Sequence, residues 1–337
     1  MGSVSEGIEQ VRGPAGRGGS RRRWVLFAER YALVAALLVV CAIFGLLRPD
    51  AFLTWSNATT ILGSQAVLVV VTLALLAPLI AGDFDLSVAQ VLTLSSMTIA
   101  VLNVGHGWPI GLAVCAALAI GVVVGLINGF FVVAFNIHSL IVTLGTGTVL
   151  HGITLWISSS RTISGVSFGL VNLVIVRRLF GIPYAFYAAI VICALMWYGL
   201  RYTALGRRLL FVGRGREVAR LSGISVGGMR WGALVLSAML GAVAGVLYTG
   251  TTGAADPTSG VALLLPAFAA AFLGATSIEP GRFNPWGATL SVYFLVTGIT
   301  GLMMLGIDTF VQELFYGGAL VISVVLSQLV RGRREII

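Results

Sequence analysis

Pro109-Ile-Gly-Leu-Ala-Val-Cys-Ala-Ala-Leu-Ala-Ile-Gly-Val-Val-Val-Gly-Leu-Ile-Asn-Gly-Phe-Phe-Val-Val133 contains no charged side chain. As a helix rising 1.5 Å per residue it is long enough to cross the roughly 30 Å hydrocarbon layer of a bilayer. The stretch sits inside a longer one, Leu86 to Ser160, that holds no Asp, Glu, Lys or Arg at all. Two turn-like clusters, Asn103-Val-Gly-His-Gly-Trp-Pro109 and Ala134-Phe-Asn-Ile-His-Ser139, divide it. Three spans result, near 87–104, 109–133 and 138–158.

Working outward, Tyr31 to Leu47 is a further apolar run with a basic flank but no small-residue cleavage site after it, so it reads as an uncleaved first span. Phe52 to Asn57 reads as interfacial, anchored by Trp55, and a second span covers about Ala58 to Ala81. Arg161 to Pro183 is a mixed loop with a short amphipathic or re-entrant segment around Leu170 to Val176. Beyond it come spans at Tyr184 to Leu200 and at about 231–250, 261–278, 285–304 and 308–329. The expected fold is therefore all-α, a polytopic membrane protein of about ten transmembrane helices forming one domain over 31–330. A disordered basic tail, 1–30, is expected before it, and a short basic tail, 331–337, after it.

Composition agrees. Of 337 residues, 58% are hydrophobic and 10% charged, where soluble domains carry about 25% charge. All 21 basic residues are arginine. Without lysine there is no P-loop, Schiff-base or kinase-type lysine, so an ATP-driven machine needs its ATPase on another chain. Cys41, Cys115 and Cys193 lie far apart in apolar runs and read as small apolar side chains. His106, His138 and His151 form no ligand spacing with them, and no metal site is expected.

Sixteen of the arginines fall in the N-terminal tail, the 201–230 loop and the C-terminal tail. The positive-inside rule places all three in the cytoplasm. Six spans between the first two and four between the last two satisfy that placement. The arginines are explained by orientation, and nucleic acid is not expected as a partner.

Two constellations stand out. Ala81-Gly-Asp-Phe-Asp-Leu-Ser-Val88 puts two acids at the junction of two apolar runs. Asp85 or Ser87 could cap the third span while Gly82 ends the second. Alternatively Asp83 and Asp85 belong to the translocation path or its gate, since acids beside hydrocarbon are costly and often functional. An ion-coupled secondary transporter would use that pair. The second constellation is the arginine-rich loop, where Glu217 to Ser222 can form a short helix ended by Gly223, with Val218, Ala219 and Leu221 as its apolar face. It could dock in a groove of a soluble partner or rest on anionic lipid. Glycines at four-residue spacing, Gly121, Gly125, Gly129 and again Gly241, Gly245, read as close helix contacts.

The loop Gly206-Arg-Arg-Leu-Leu-Phe-Val-Gly-Arg-Gly-Arg-Glu-Val-Ala-Arg-Leu-Ser-Gly-Ile224 resembles the cytoplasmic coupling loop of the ribose/xylose/galactose-type permeases of ABC importers. Gly82-Asp-Phe-Asp-Leu-Ser-Val88 resembles that family's GGxDLSVG, and Asn128-Gly together with Ser139-Leu-Ile-Val-Thr-Leu-Gly-Thr146 resembles its NG followed by PxxxxTLGT. Leu273-Gly-Ala-Thr-Ser277 resembles its GGTS. The chain departs from the pattern at Asp83, Ala89 and Ser139, and in Ile278-Glu-Pro-Gly-Arg-Phe-Asn-Pro285, which replaces a glycine-rich turn and adds Glu279 and Arg282.

The resemblance implies a permease that carries a small polar solute, a monosaccharide above all, through a bacterial cell membrane and has no catalytic site. It implies a coupling helix bearing Arg216, Glu217, Ala219, Arg220 and Gly223. It places Asp83, Asp85, Ser87, Asn128, Thr143 and Thr146 as path or gate positions. The implied partners are a cytoplasmic ABC ATPase that holds the ATP and Mg, a second permease and an extracytoplasmic solute-binding protein, with no cofactor on this chain.

Overall fold

The computed structural model describes residues 18–335, with side chains over 30–328. In chain order its helices are α1 Gly18–Leu47, α2 Pro49–Phe52, α3 Trp55–Ser64, α4 Ala66–Ala81, α5 Val88–Ala100 and α6 Ile110–Ala134. α7 Ser139–Ser158, α8 Phe168–Val171, α9 Tyr184–Tyr202, α10 Ala204–Arg214 and α11 Arg216–Leu221 follow. The chain then forms α12 Val226–Thr252, α13 Val261–Gly274, α14 Pro285–Met304 and α15 Phe310–Glu335. A π-helical turn carries α5 on to Gly105. The only strands among the described residues are two-residue pairings, Ile163–Ser164 with Ala254–Ala255 and Arg178–Leu179 with Ile182–Pro183.

Nine helical segments among the described residues are long and apolar enough to cross a membrane, and α13, at the expected 261–278 run, is a shorter apolar helix. The expected tail is helical in part: α1 reaches back to Gly18, while residues 1–17 lie outside the described residues. The second span is interrupted at Gln65, between α3 and α4. The segment at Leu170 to Val176 is α8 plus a π-helical turn, with Leu170 and Val174 turned inward.

α4 is the axis of the molecule. All of its residues are buried, so it has no lipid-facing stripe, whereas α6, α7 and α9 bury only one narrow face each. α12 packs on α4, α5 and α6. The expected glycine contacts are there: a methyl group at Gly125 would lie 2.6 Å from the Cα of Val235, and one at Gly121 would lie 2.8 Å from the carbonyl oxygen of Ala238. Gly241 meets Val88, and Gly245 meets Leu92 and Ser95 of α5. Without a hydrophobic drive between helices in lipid, such close backbone approach supplies the dispersion contact that holds them.

Two of the expected crossings are broken. Val88 lies beside Gly241, about 22 Å along α12 from Val226, while Asp83 lies beside Arg230, about 6 Å along it. The chain from Asp83 to Asp85 is without helix, bends at Leu86 and Ser87, and rises to Val88, so that α5 starts deep in the protein. On the other side Gly260 packs against Ala89 and its N–H donates to Thr93 Oγ1. The outer 253–260 loop thus dips from the end of α12 to reach α5 at Gly260, and α13, about 21 Å long, starts from there.

Candidate functional site: a coupling helix joined to a broken span

α11 forms where expected. It starts after Gly215, and Gly223 closes it with φ 77°, a left-handed conformation that costs a glycine least. The Gly223 N–H donates to Arg220 O and the Ile224 N–H to Ala219 O, so the last carbonyls of this short helix are satisfied. Its apolar side chains do not share one face. Ala219 is fully buried against the protein, whereas Val218 and Leu221 are exposed, Leu221 at 83%. The expected three-residue face is therefore corrected to a two-sided helix, anchored by Ala219 and presenting Val218, Leu221 and the exposed Glu217–Arg220 ion pair outward.

Arg216 ties this helix to the transmembrane core. Its Nη2 donates to Ala81 O at 3.3 Å, to Gly82 O at 2.9 Å and to Asp83 Oδ1 at 3.2 Å. Gly82, at φ 76°, ends α4 in the left-handed conformation, which frees those carbonyls to accept. Arg230, near the start of α12, holds the same carboxylate in a fork: Nε donates to Oδ2 at 2.7 Å and Nη2 to Oδ1 at 2.8 Å. Asp83 and Arg230 are both buried. Two guanidiniums so compensate one carboxylate, in the bidentate geometry that arginine favours. Asp83 thus joins α4, α11 and α12.

From Asp83 the non-helical segment is pinned to α7. The Phe84 N–H donates to Ser139 Oγ at 3.0 Å, the Leu86 N–H to Thr143 Oγ1 at 3.1 Å, and Thr143 Oγ1 lies 3.3 Å from Phe84 O. In hydrocarbon a non-helical backbone survives only when its polar groups are satisfied by protein, and these hydroxyls do that. Asp85 Oδ1 accepts from the Ser87 N–H at 2.9 Å and from Ser87 Oγ at 2.6 Å, which makes it the cap at the entrance to α5. Asn128 Nδ2 in turn donates to Ser87 Oγ at 2.8 Å. Asp85, Ser87, Asn128 and Thr143 thus form one buried cluster, while Thr146, half-buried one turn further along α7, takes no part in its hydrogen bonds.

This cluster is under-satisfied. Asp85 Oδ2, Asn128 Oδ1 and Gln90 Oε1 are buried with no hydrogen-bond partner, and Ser237 Oγ, beside Asp85, makes no bond of good geometry. Unpaired buried oxygens are costly and uncommon in native proteins. Sequence reasoning did not single out Arg230, Ser237 and Gln90. The signal for Arg230 was present: one base at the head of an apolar run needs a counter-charge, and Asp83 was the unmatched acid.

The described residues hold no group of three or more His, Cys, Asp and Glu side chains suited to a metal. A family model described as "Branched-chain amino acid transport system / permease component" matches residues 57–324. The chain is similar to the D-allose transport system permease protein AlsC of Escherichia coli K12, with 31% identity over 91% of this chain and 94% of that protein. It is similar to the ribose import permease protein RbsC of the same strain, at 28% over 93% and 97%. It is likewise similar to the L-arabinose ABC transporter permease protein AraH of Azospirillum brasilense, at 30% over 93% and 91%. No solved structure matches.

Proposed function

The chain belongs to this family of transport-system permease components, and from that premise we propose that it is the membrane subunit through which an ABC importer moves a monosaccharide into the cell. The relatives named for allose, ribose and arabinose transport support a small sugar as the solute. Membership in a family of permease subunits implies an ATPase and a solute-binding protein as associates. The proposal adds that the ATPase, carrying ATP and Mg, docks on α11, and that a second permease completes the pore.

The observation that carries the mechanism is Arg216. It stands on the helix offered to the ATPase and bonds the last carbonyls of α4 and the first acid of the non-helical segment. A displacement of α11 by a closing ATPase would pull on Gly82 and Asp83. Through the Asp83–Arg230 fork it would reach α12, and through the 84–87 segment it would reach α5 and α7. Switching requires that the two states differ in contact free energy. The unpaired oxygens of Asp85, Asn128 and Gln90 supply such a difference, because a rearranged segment, or sugar hydroxyls entering beside it, would partner them.

The ion-coupled alternative rests on Asp83 and Asp85 together, and the ion pairs of Asp83 favour the importer reading over it. Broken helices at mid-depth are common to many transporters, but Asp83 is committed to two arginines.

The test is ATP-dependent sugar uptake by the assembled importer in vesicles. Glu217→Arg reverses the exposed charge of α11, and Gly223→Trp places a bulky side chain at a left-handed position. Both variants should reach the membrane and lose uptake. Normal uptake in both would remove α11 from the coupling role.

A further inference from the structure

A second polar site lies away from the coupling joint, where α1, α9, α10 and the 278–285 turn meet. There a pocket of about 790 Å³ is lined by Arg30, Arg201, Arg207 and Arg282, with Glu279 as the acid among the described lining residues. Arg201 Nη1 donates to Glu279 Oε1 at 3.0 Å, which offsets one positive charge. No described acid lies in ion-pair range of Arg30, Arg207 or Arg282. Trp197, Leu200, Leu210 and Phe283 add apolar surface to the lining.

The span ends and the positive-inside rule put the pocket at the inner boundary of the hydrocarbon. Arg30 is the first residue of the first candidate span, Arg201 lies in the last turn of α9, and the Ile278 N–H donates to Arg30 O at 3.0 Å. Trp197, one turn inside Arg201, stands at the depth where aromatic belts form. The acid and one of the arginines come from Ile278-Glu-Pro-Gly-Arg-Phe-Asn-Pro285, the segment in which this chain departs from the pattern it otherwise resembles.

From this juxtaposition we propose that the pocket binds the phosphate of an anionic phospholipid of the inner leaflet. Guanidinium groups match a phosphate in forked hydrogen bonds, and the negative leaflet raises the local concentration of such lipids. A free phosphate has the same anionic chemistry but gains nothing from Trp197, Leu200, Leu210 and Phe283. A lipid buries its glycerol and upper acyl carbons against them. The proposal holds whatever solute the chain carries, so its failure and the failure of the transport reading are separate results.

The test is native mass spectrometry of the purified full-length permease in micelles, titrated with phosphatidylglycerol or phosphatidylcholine of matched acyl chains. The expected result is retention of phosphatidylglycerol over phosphatidylcholine, falling about fivefold for each arginine removed in Arg207→Gln and Arg282→Gln. Arg282→Lys, which keeps the charge, should retain most of it. Excess inorganic phosphate should fail to displace the lipid. Equal retention of the two lipids, or retention unchanged in the double glutamine variant, overturns the site. Displacement by inorganic phosphate overturns the lipid and assigns a soluble anion instead. Gel filtration of each variant as a monodisperse species shows that a loss is local rather than a failure to fold.

Discussion

Asp83 is the residue on which the account turns. A buried ion pair adds little net stability, because desolvating both charges offsets their attraction, but removing one partner strands the other. Asp83→Leu, which leaves the buried Arg230 without its only ion-pair partner among the described residues, should therefore lower unfolding stability in mixed micelles by about 3–5 kcal/mol. Asp83→Leu with Arg230→Met together should recover most of that loss, since nothing charged is then left buried. A double variant as unstable as the single one would show that the fork is not the interaction being measured. Asp256, on the outer loop, behaves differently. Its carboxylate accepts from the Thr258 N–H and Oγ1 at 2.8 and 2.6 Å and from Thr162 Oγ1 at 2.7 Å, and these bonds hold its pKa below the ordinary value. A depressed carboxyl contributes stability that is present above its unfolded pKa, about 3.9, and lost as pH falls through the lower folded one. Hydrogen exchange of residues 162–164 and 254–258, taken relative to the intrinsic rate at each pH, should stay slow at pH 5 and accelerate well below pH 4. Thr162→Val should move that acceleration upward in pH, and identical profiles would exclude the contact.

At the scale of elements, the apolar runs declare the spans because burial in lipid leaves no other use for twenty uncharged residues. Nine of the ten expected crossings are long helices, and 261–278 was visible as an apolar run. Its breakage was not visible, since the period of hydrophobicity in α13 does not report the depth at which the helix begins. The same limit applies to Gly82 to Ser87. The sequence shows a helix stop at Gly82 and a cap at Asp85, but only packing against Ser139, Thr143 and Gly241 shows that the segment climbs through the protein. α11 was legible because Gly223 is a local signal, whereas the direction in which Ala219 faces depends on α12 and α10. The small-residue stripe of α6 was legible too, and Gly125→Leu puts it to the test. The added side chain meets the α12 backbone, so the variant should unfold at a clearly lower temperature in detergent. A control, Gly152→Leu on α7, where nothing lies within 4 Å, should not.

The whole molecule is a lever between two surfaces. Its arginines orient it, its buried α4 resists deformation, and its two broken crossings supply polar backbone at mid-depth where a continuous helix would supply none. The family is one of transport permease subunits without an ATPase site of their own, and on the proposed reading the work enters through α11. Arg216 and the Asp83–Arg230 fork bond α11 to α12, and from Asp83 the 84–87 chain leads into α5 and is hydrogen-bonded to α7. Site-specific cross-linking tests this most directly: Glu217→Cys in a chain with Cys41, Cys115 and Cys193 replaced, treated in native membranes with a short bifunctional thiol reagent, with the adduct identified by mass spectrometry. The account predicts an adduct with a P-loop ATPase whose yield changes when nucleotide is added. Active, ATP-independent uptake by the same membranes with no ATPase adduct would contradict it.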